Sequence, residues 1–314
     1  MRRIALSLAL LAAAAAYAPV AAPPSSASAG TLAARIETAI RRKSHKDVQF
    51  SLGVWDARTG RRIAATAADT PRRTASVTKL VTTGGALLLL GADHELTTEA
   101  RATAAPVAGV VRGDLVIEGT GDPGFSTHLV PDGVEAEMRR FARQVREAGV
   151  TRVTGDLVID TSAFPGPGRH PGWGWREGTY DWYMAPVTAV TLGDGCVDVT
   201  ALPGAAPGAP ARLEMTPPNA VVQLLNRLTT TSDRKSHVVA FGPDEGDTGA
   251  AGPRRIAAKG SVWTRSTGFT ASLACVDPPE LFGDVLGRAL AAEGVAVGGG
   301  VRVLRGPPAA PWPR

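Results

Sequence analysis

The 314-residue chain carries 34 Lys and Arg against 29 Asp and Glu, a formal charge of +5, and 44% of its residues are hydrophobic. This composition is typical of a globular protein that buries a sizeable core. The mild positive charge is spread along the chain without an arginine stripe, which argues against nucleic acid as a partner.

The N-terminal stretch has the pattern of an export signal. It reads MRRIALSLALLAAAAAY, and Ala-Ser-Ala at 27–29 forms an A-x-A cleavage site. The pattern predicts a secretory signal peptide over residues 1–29, and its apolar run is shorter than the ~20 residues that span a membrane. Loss of Arg2 and Arg3 with this peptide leaves a charge of +3. We expect an exported protein of the periplasm or the extracellular cell-wall space, without a transmembrane segment.

Three elements are predicted before residue 100. Apolar residues recur at helical spacing over 31–42 and predict a helix. The stretches VQFSLGVWD and RRIAA flank the turn ARTG and predict a β-hairpin. The sequence TASVTKLVTTGGALLLLG at 74–91 then predicts a helix that ends at Gly91, a natural C-terminal cap.

Short strands separated by Gly and Pro follow residue 100. A V-x-G-D-L-V-I core occurs twice, starting at Val111 and Val153. Between the copies lies a predicted helix whose apolar face comprises Val134, Met138, Phe141, Val145 and Ala148. We expect a small α+β module. The repeated V-x-G-D-L-V-I sequence is either a duplication or a coincidence of strand and turn preferences.

Two further helices are expected towards the end of the chain. One lies around 221–228. The other has Asp277 as its N-cap, prolines in its first turn and Gly294 at its end. Its predicted core face comprises Leu281, Val285, Leu286, Ala289 and Leu290.

Aromatic residues cluster in and after a glycine- and proline-rich loop. Trp173, Trp175, Trp182 and Tyr183 are the side chains that could stack on glycan rings. Because aromatic side chains dominate protein cores, we expect them to pack instead.

The two cysteines, Cys196 and Cys275, lie far apart in an exported chain, where disulfides can persist. They either bridge or remain two buried thiols, because sequence alone does not show whether their Cα atoms come within reach. Neither has a histidine at the spacing that marks a catalytic cysteine.

Ser76 and Lys79 are the candidate catalytic pair. A serine at a helix start with a lysine three residues later places hydroxyl and amine on one helical face, about one turn apart. The helix N-terminus favours developing negative charge, and a desolvated lysine can serve as a base. The bland alternative is a capping serine beside a solvated lysine. A second S-x-x-K, from Ser232 to Lys235, lies in the polar run TTTSDRKSH and is expected to be a loop.

The chain resembles the penicillin-binding proteins of the D-alanyl-D-alanine carboxypeptidase/endopeptidase type, the class C low-molecular-mass group. The resemblance rests on four stretches in the family's order: TASVTKLVTTGGALLLLG, GDLVIEGTGDP, YDWYMAPVTAVTLGDGCVDV and VDPPELFGDVLGRALAAEGVAVGGGV. It implies that Ser76 attacks the carbonyl between the last two D-alanines of a peptidoglycan stem peptide. Lys79 would accept the serine proton, and β-lactams would acylate the same serine.

The resemblance also implies a fold of the α/β (α+β) class. We expect part of a β-lactamase/transpeptidase-like domain, an antiparallel sheet with helices, interrupted by a large accessory region of short strands and helices. The expected boundaries are 30–100 for its N-terminal part, 101–270 for the inserted region and 271–314 for an incomplete return.

The family's S-x-N and K-T-G motifs do not occur in this sequence. We therefore expect reduced activity, a hairpin without neighbouring strands and a Ser76 helix uncovered on one side. The alternatives are a non-catalytic peptidoglycan-binding or interaction protein derived from this family, and a truncated gene product. No cofactor or metal is implied, because the five histidines show no zinc-ligand spacing.

Overall fold

A computed structural model describes residues 31–41, 47–166, 168–169, 180–244, 253–308 and 312. The chain divides into two compact units, residues 1–93 and 94–314. The described residues form four α-helices and five small sheets, which confirms the expected mixed fold class. The predicted signal peptide lies outside the described residues. Among the helices described, none has the length and apolar character needed to cross a membrane.

The first unit begins with the predicted helix and hairpin. Helix α1 spans Leu32–Ile40, and its N-cap Thr31 accepts a hydrogen bond from the Ala34 N–H. Strand β1 (Leu52–Trp55) pairs antiparallel with β2 (Arg62–Thr66), as the sequence predicts. These two strands form a sheet of their own, and a two-stranded sheet is only marginally stable in water.

Helix α2 (Thr78–Leu90) follows in the same unit and ends at Gly91, whose φ is 89°. Its sequence contains two glycines and three threonines, which are poor helix formers, so the helix depends on packing for its stability. None of its 13 residues is buried, and Leu88 is 87% exposed. Among the described residues the hairpin has no neighbouring strand, as expected, whereas α2 has no buried residue at all, although the sequence predicts that only one side is uncovered.

The second unit is built on two neighbouring sheets of short, mostly parallel strands. The strand bounds are Thr98–Ala102 (β3), Val110–Val111 (β4), Leu115–Gly119 (β5), Arg152–Val153 (β6), Leu157–Asp160 (β7), Ala296–Val297 (β14) and Val301–Leu304 (β15). One sheet has the order β14-β6-β4, and the other has the order β15-β7-β5-β3, in which only β3 is antiparallel to its neighbour.

The repeated V-x-G-D-L-V-I sequence corresponds to repeated local structure. Val111 pairs with Val153, and Leu115 pairs with Leu157, so the two copies lie side by side in parallel register. The stretch VGGGV at 297–301 continues both sheets as a third copy. It lacks the Asp-Leu-Val-Ile letters, which is why the sequence did not reveal it.

Aspartate side chains connect the three copies. Asp114 Oδ1 accepts a hydrogen bond from the Asp156 N–H at 2.8 Å, and Asp156 Oδ1 accepts one from the Gly300 N–H at 3.1 Å. Arg302 forms ion pairs with both carboxylates, at 3.2 and 3.3 Å. A Cβ on Gly155 would lie 2.1 Å from Asp114 Oδ1, so this close approach requires glycine.

Two helices cover these sheets. Helix α3 (Val134–Glu147) packs against α4 (Pro278–Ala292), and α4 also contacts β7, β14 and β15. The predicted faces are confirmed, except that Ala148 is the C-cap of α3. Asp277 caps α4 by accepting from the Glu280 N–H, and nine residues of α4 are buried.

The helix expected around 221–228 is wrong. Strand β10 (Val222–Thr231) occupies this stretch, parallel to β12 (Arg254–Trp263), whose other edge pairs with β11 (Val238–Pro243). A short apolar run fits either structure by periodicity, and the β-branched valines and threonines here favour a strand.

The end of the chain contributes to the second unit. Strand β13 (Phe269–Ala274) pairs with β8 (Cys196–Leu202), which also pairs with β9 (Arg212–Thr216). Strands β13, β14 and β15, in the stretch for which the sequence predicts a return into the catalytic domain, thus pair with strands of the region at 101–270. The unit division at residues 93 and 94 lies near the predicted boundary at 100. The three-part division itself stays a prediction.

Candidate active site

The structure brings Ser76 and Lys79 together. Ser76 lies in a 3-10 turn, Ala75–Val77, that leads directly into α2, and Lys79 is the second residue of that helix. Lys79 Nζ lies 2.9 Å from Ser76 Oγ and donates a hydrogen bond to it. Proton transfer between a hydroxyl and a neutral amine requires a separation of this order.

The turn that carries Ser76 has an unusual backbone. Ala75 has a φ of 45°, in the left-handed region, which costs a residue with a Cβ roughly 1–2 kcal/mol. Val77 N–H donates to the Thr74 carbonyl at 3.0 Å, and the hydroxyls of Thr74 and Thr78 lie 2.5 Å apart across the turn. These bonds hold the strained residue next to the candidate nucleophile, and strained residues of this kind cluster at active sites.

Water has access to the pair. Every residue from Pro71 to Thr83 is exposed. Lysine acts as a base where burial disfavours its charged form, and that burial is not provided by the described residues around Lys79. Ser76 and Lys79 therefore have the spacing that catalysis requires, but the described residues do not shield them from water.

The second S-x-x-K copy has a different geometry. Ser232 precedes a short 3-10 turn, Arg234–Ser236, in the loop between β10 and β11. The hydrogen bonds of this turn run to Asp233, which accepts from the Lys235 N–H at 2.9 Å and from Ser236 Oγ at 2.8 Å. The prediction of a loop at this copy is confirmed.

A serine, a histidine and an aspartate that the sequence analysis did not single out also meet. Ser126 Oγ donates to Asp194 at 3.0 Å, and His128 Nε2 lies 3.7 Å from the same carboxylate. In a catalytic triad the histidine lies between serine and aspartate, whereas here the serine binds the aspartate directly. Ser126 is 4% exposed, so its hydroxyl is not accessible to a substrate. Within the described ranges, no group of three or more His, Cys, Asp or Glu side chains could hold a metal ion.

The two cysteines are buried thiols in this structure. Cys196 lies opposite Ala274 in the β8–β13 pair, and Cys275 is the next residue along. Cys275 lies beyond the last residue of β13, and neither cysteine forms a disulfide. Burial raises the pKa of both thiols to about 12, which leaves them unreactive near neutral pH.

The expectation that the aromatic cluster packs is wrong for two of its members. Trp182 is 65% exposed and Tyr183 is 61% exposed. Trp173 and Trp175 lie outside the described residues.

Comparison with known proteins identifies relatives of one kind. A sequence model described as the D-Ala-D-Ala carboxypeptidase 3 (S13) family matches residues 32–311. The chain is 30% identical over 233 residues to a D-alanyl-D-alanine carboxypeptidase of Actinomadura sp. (strain R39), which covers 72% of this chain and 40% of that protein. It is 36% identical over 126 residues to carboxypeptidase DacB of Mycolicibacterium smegmatis, covering 38% of this chain and 25% of that protein.

The fold is similar to solved structures of penicillin binding protein 4 (dacB) from Haemophilus influenzae. One of them has a TM-score of 0.65 at 21% identity and covers 82% of this chain and 54% of that chain. Another, complexed with a novel β-lactam, has a TM-score of 0.61 at 18% identity, with 82% and 52% covered. The chain thus spans about half the length of these proteins, and 40% or less of the curated relatives named above.

Proposed function

This chain belongs to the D-Ala-D-Ala carboxypeptidase 3 (S13) family, whose members are class C low-molecular-mass penicillin-binding proteins, and we propose that it is a serine D-Ala-D-Ala carboxypeptidase/endopeptidase of peptidoglycan. Its substrate would be a stem peptide that ends in D-Ala-D-Ala, and its site of action the exported cell-wall space. The observation that carries this proposal is the 2.9 Å contact between Lys79 Nζ and Ser76 Oγ, located within the family match.

In the proposed reaction Ser76 Oγ attacks the carbonyl carbon between the two terminal D-alanines. Lys79, as the neutral amine, accepts the hydroxyl proton and passes it to the nitrogen of the departing D-alanine. The new ester between Ser76 and the shortened peptide is then hydrolysed by water. The Ser76 N–H would supply one of the oxyanion-stabilising donors at the start of α2.

A β-lactam would follow the first half of the same path. Attack of Ser76 Oγ opens the strained lactam ring and leaves an acyl ester on the serine, while the ring nitrogen takes the proton. The β-lactam complex of a structural neighbour supports this expectation.

We expect slow turnover from these 314 residues on their own. They contain neither an S-x-N nor a K-T-G motif, and the side chains of Ser76 and Lys79 are open to water. Loss of one oxyanion donor alone costs roughly 10²- to 10³-fold in rate. Acylation by a reactive β-lactam is therefore a better assay than release of D-alanine.

The experiment is covalent labelling with a fluorescent penicillin, followed by mass spectrometry of the labelled peptide. Wild type should label at Ser76, and Ser76→Ala should abolish the label. Ser232→Ala is the matched control, because it removes the serine of the second S-x-x-K and should label like wild type. Lys79→Met should slow labelling, because the hydroxyl loses its proton acceptor.

Two results would contradict the proposal. Labelling that survives Ser76→Ala would place the nucleophile elsewhere. A folded wild type that takes no label, yet sediments with purified peptidoglycan, would support the non-catalytic wall-binding alternative instead.

A further inference from the structure

The second unit displays two large aromatic rings on its surface. Trp182 and Tyr183 lie in a 3-10 turn, Trp182–Met184, and are 65% and 61% exposed. Their ring centroids lie 5.8 Å apart, with planes at 86°. The two rings form an open corner, referred to below as the aromatic corner.

The backbone under the aromatic corner is fixed. Met184 is 8% exposed, and its N–H donates to the Asp181 carbonyl at 2.8 Å. The Met184 carbonyl in turn accepts a bond from Arg169 Nε at 2.8 Å. On the other side of the turn, Asp181 forms a β-bridge with Leu273 of β13. The rings are therefore presented by an anchored turn, so a ligand that binds them need not order the backbone first.

Polar atoms border the rings. Tyr183 OH donates to Asp181 Oδ2 at 2.8 Å, and this bond to a nearby carboxylate raises the pKa of the Tyr183 phenol. The phenol stays protonated, its oxygen can still accept a bond, and the carboxylate of Asp181 offers further acceptor positions. Apolar ring faces thus lie beside acceptors held in a defined orientation.

A sugar ring has the complementary chemistry. Its axial C–H groups form an apolar face that stacks on an aromatic ring, and its rim carries hydroxyl and amide donors. We propose that the aromatic corner is a carbohydrate-binding site for the N-acetylated glycan strand of peptidoglycan. The biological identity of the glycan rests on the proposed function, whereas the recognition chemistry rests on Asp181, Trp182 and Tyr183 alone.

The aromatic corner would give the chain a second hold on its polymer. A stem peptide is attached to a glycan strand, so a site for sugar rings raises the effective concentration of neighbouring stem peptides. Such a site contributes to binding without taking part in bond cleavage.

The test is calorimetric titration of the full chain with chitotetraose, a β-linked tetramer of N-acetylglucosamine that has no stem peptide. We expect saturable binding by wild type and at least about tenfold weaker binding by Trp182→Ala, as is common when a central tryptophan is truncated. Trp182→Phe, which keeps an aromatic face, should restore part of the affinity. Tyr183→Phe should weaken binding less than Trp182→Ala, because it removes only the hydroxyl.

The matched control is Trp55→Ala, which removes another tryptophan, 53% exposed, from the first unit. It should bind chitotetraose like wild type, and so should Ser76→Ala. Thermal unfolding of every variant separates lost binding from lost folding. Sugar binding without penicillin labelling would contradict the proposed function only, and labelling without sugar binding would contradict this inference only.

Three results would overturn the inference. The first is a wild type that does not bind the tetramer, and the second is a folded Trp182→Ala that binds it as tightly as wild type does. The third is Trp182-dependent binding of an oligolysine peptide in place of the sugar, which would identify the corner as a cation site formed by aromatic faces and the Asp181 carboxylate.

Discussion

Two helices of similar size and apolar character have opposite environments. Helix α2 in the first unit has 13 residues, and none of them is buried. Helix α4 in the second unit has 15 residues, of which nine are buried against α3 and the parallel strands. Apolar sequence therefore stabilises a helix only where another element covers it, because the gain comes from area removed from water.

The two units differ in the same sense. The described part of the first unit comprises α1, a two-stranded sheet and α2, whereas the second unit contains the large hydrophobic cluster around Phe125, Met138 and Phe282. Phe125 makes edge-to-face contacts with Phe141 and Phe282, at 5.8 and 5.1 Å between centroids. We expect the free energy of unfolding to reside mainly in the second unit, and the following substitutions test that difference.

The largest effect should come from the buried face of α4. Phe282 is fully buried, so Phe282→Ala should lower the free energy of unfolding by about 3–5 kcal/mol. Leu88→Ala on α2 removes a side chain that is 87% exposed and should change it by less than about 0.5 kcal/mol. Urea unfolding followed by circular dichroism measures both. Equal losses would show that α2 is buried in solution.

A smaller loss of unfolding free energy should follow from replacing Gly155, which lies where the first two sequence copies of the second unit are joined by Asp114. Gly155→Ala would place a Cβ 2.1 Å from Asp114 Oδ1 and 2.8 Å from the Gly113 carbonyl. We expect a loss of about 1–3 kcal/mol, because the two strands must separate to make room. The same urea experiment measures it. Asp114→Ala removes the carboxylate that the new Cβ would meet. The loss of unfolding free energy in the double variant Asp114→Ala/Gly155→Ala should therefore differ from the sum of the losses in the two single variants.

The smallest effect should be a stabilisation of helix α2 in the first unit. A Cβ on Gly84 would have no atom within 4 Å, so Gly84→Ala should stabilise α2 by about 0.5–1 kcal/mol through helix propensity alone. Slower hydrogen exchange in peptides from α2 is the measurement. Faster exchange would reveal a neighbour that approaches this helix closely in solution.

Local signals predicted local structure well. The N-cap Asp277, the two prolines after it and the apolar period of α4 specify that helix without reference to the rest of the chain. The spacing of Ser76 and Lys79 likewise predicts their contact, because both residues lie within one turn of backbone. The catalytic roles of the two side chains stay a proposal.

Long-range pairing was beyond the sequence. The run VVQLLNRL is a strand because β12 lies beside it, about thirty residues later. The third copy could not be recognised either, because VGGGV matches the first two copies in backbone position but shares few residues with them. The exposure of Trp182 also depends on what packs around it, and composition does not record that.

The series of aspartate side chains that join the three copies ends at the third copy. Asp114 offers an oxygen to the backbone of the second copy, and Asp156 offers one to the third, but Gly300 carries no side chain to offer to a fourth. A further strand arriving at β15 would find the main chain without the carboxylate clamp that joins the earlier copies. Gly300 thus ends the series of aspartate-to-backbone hydrogen bonds at the third copy.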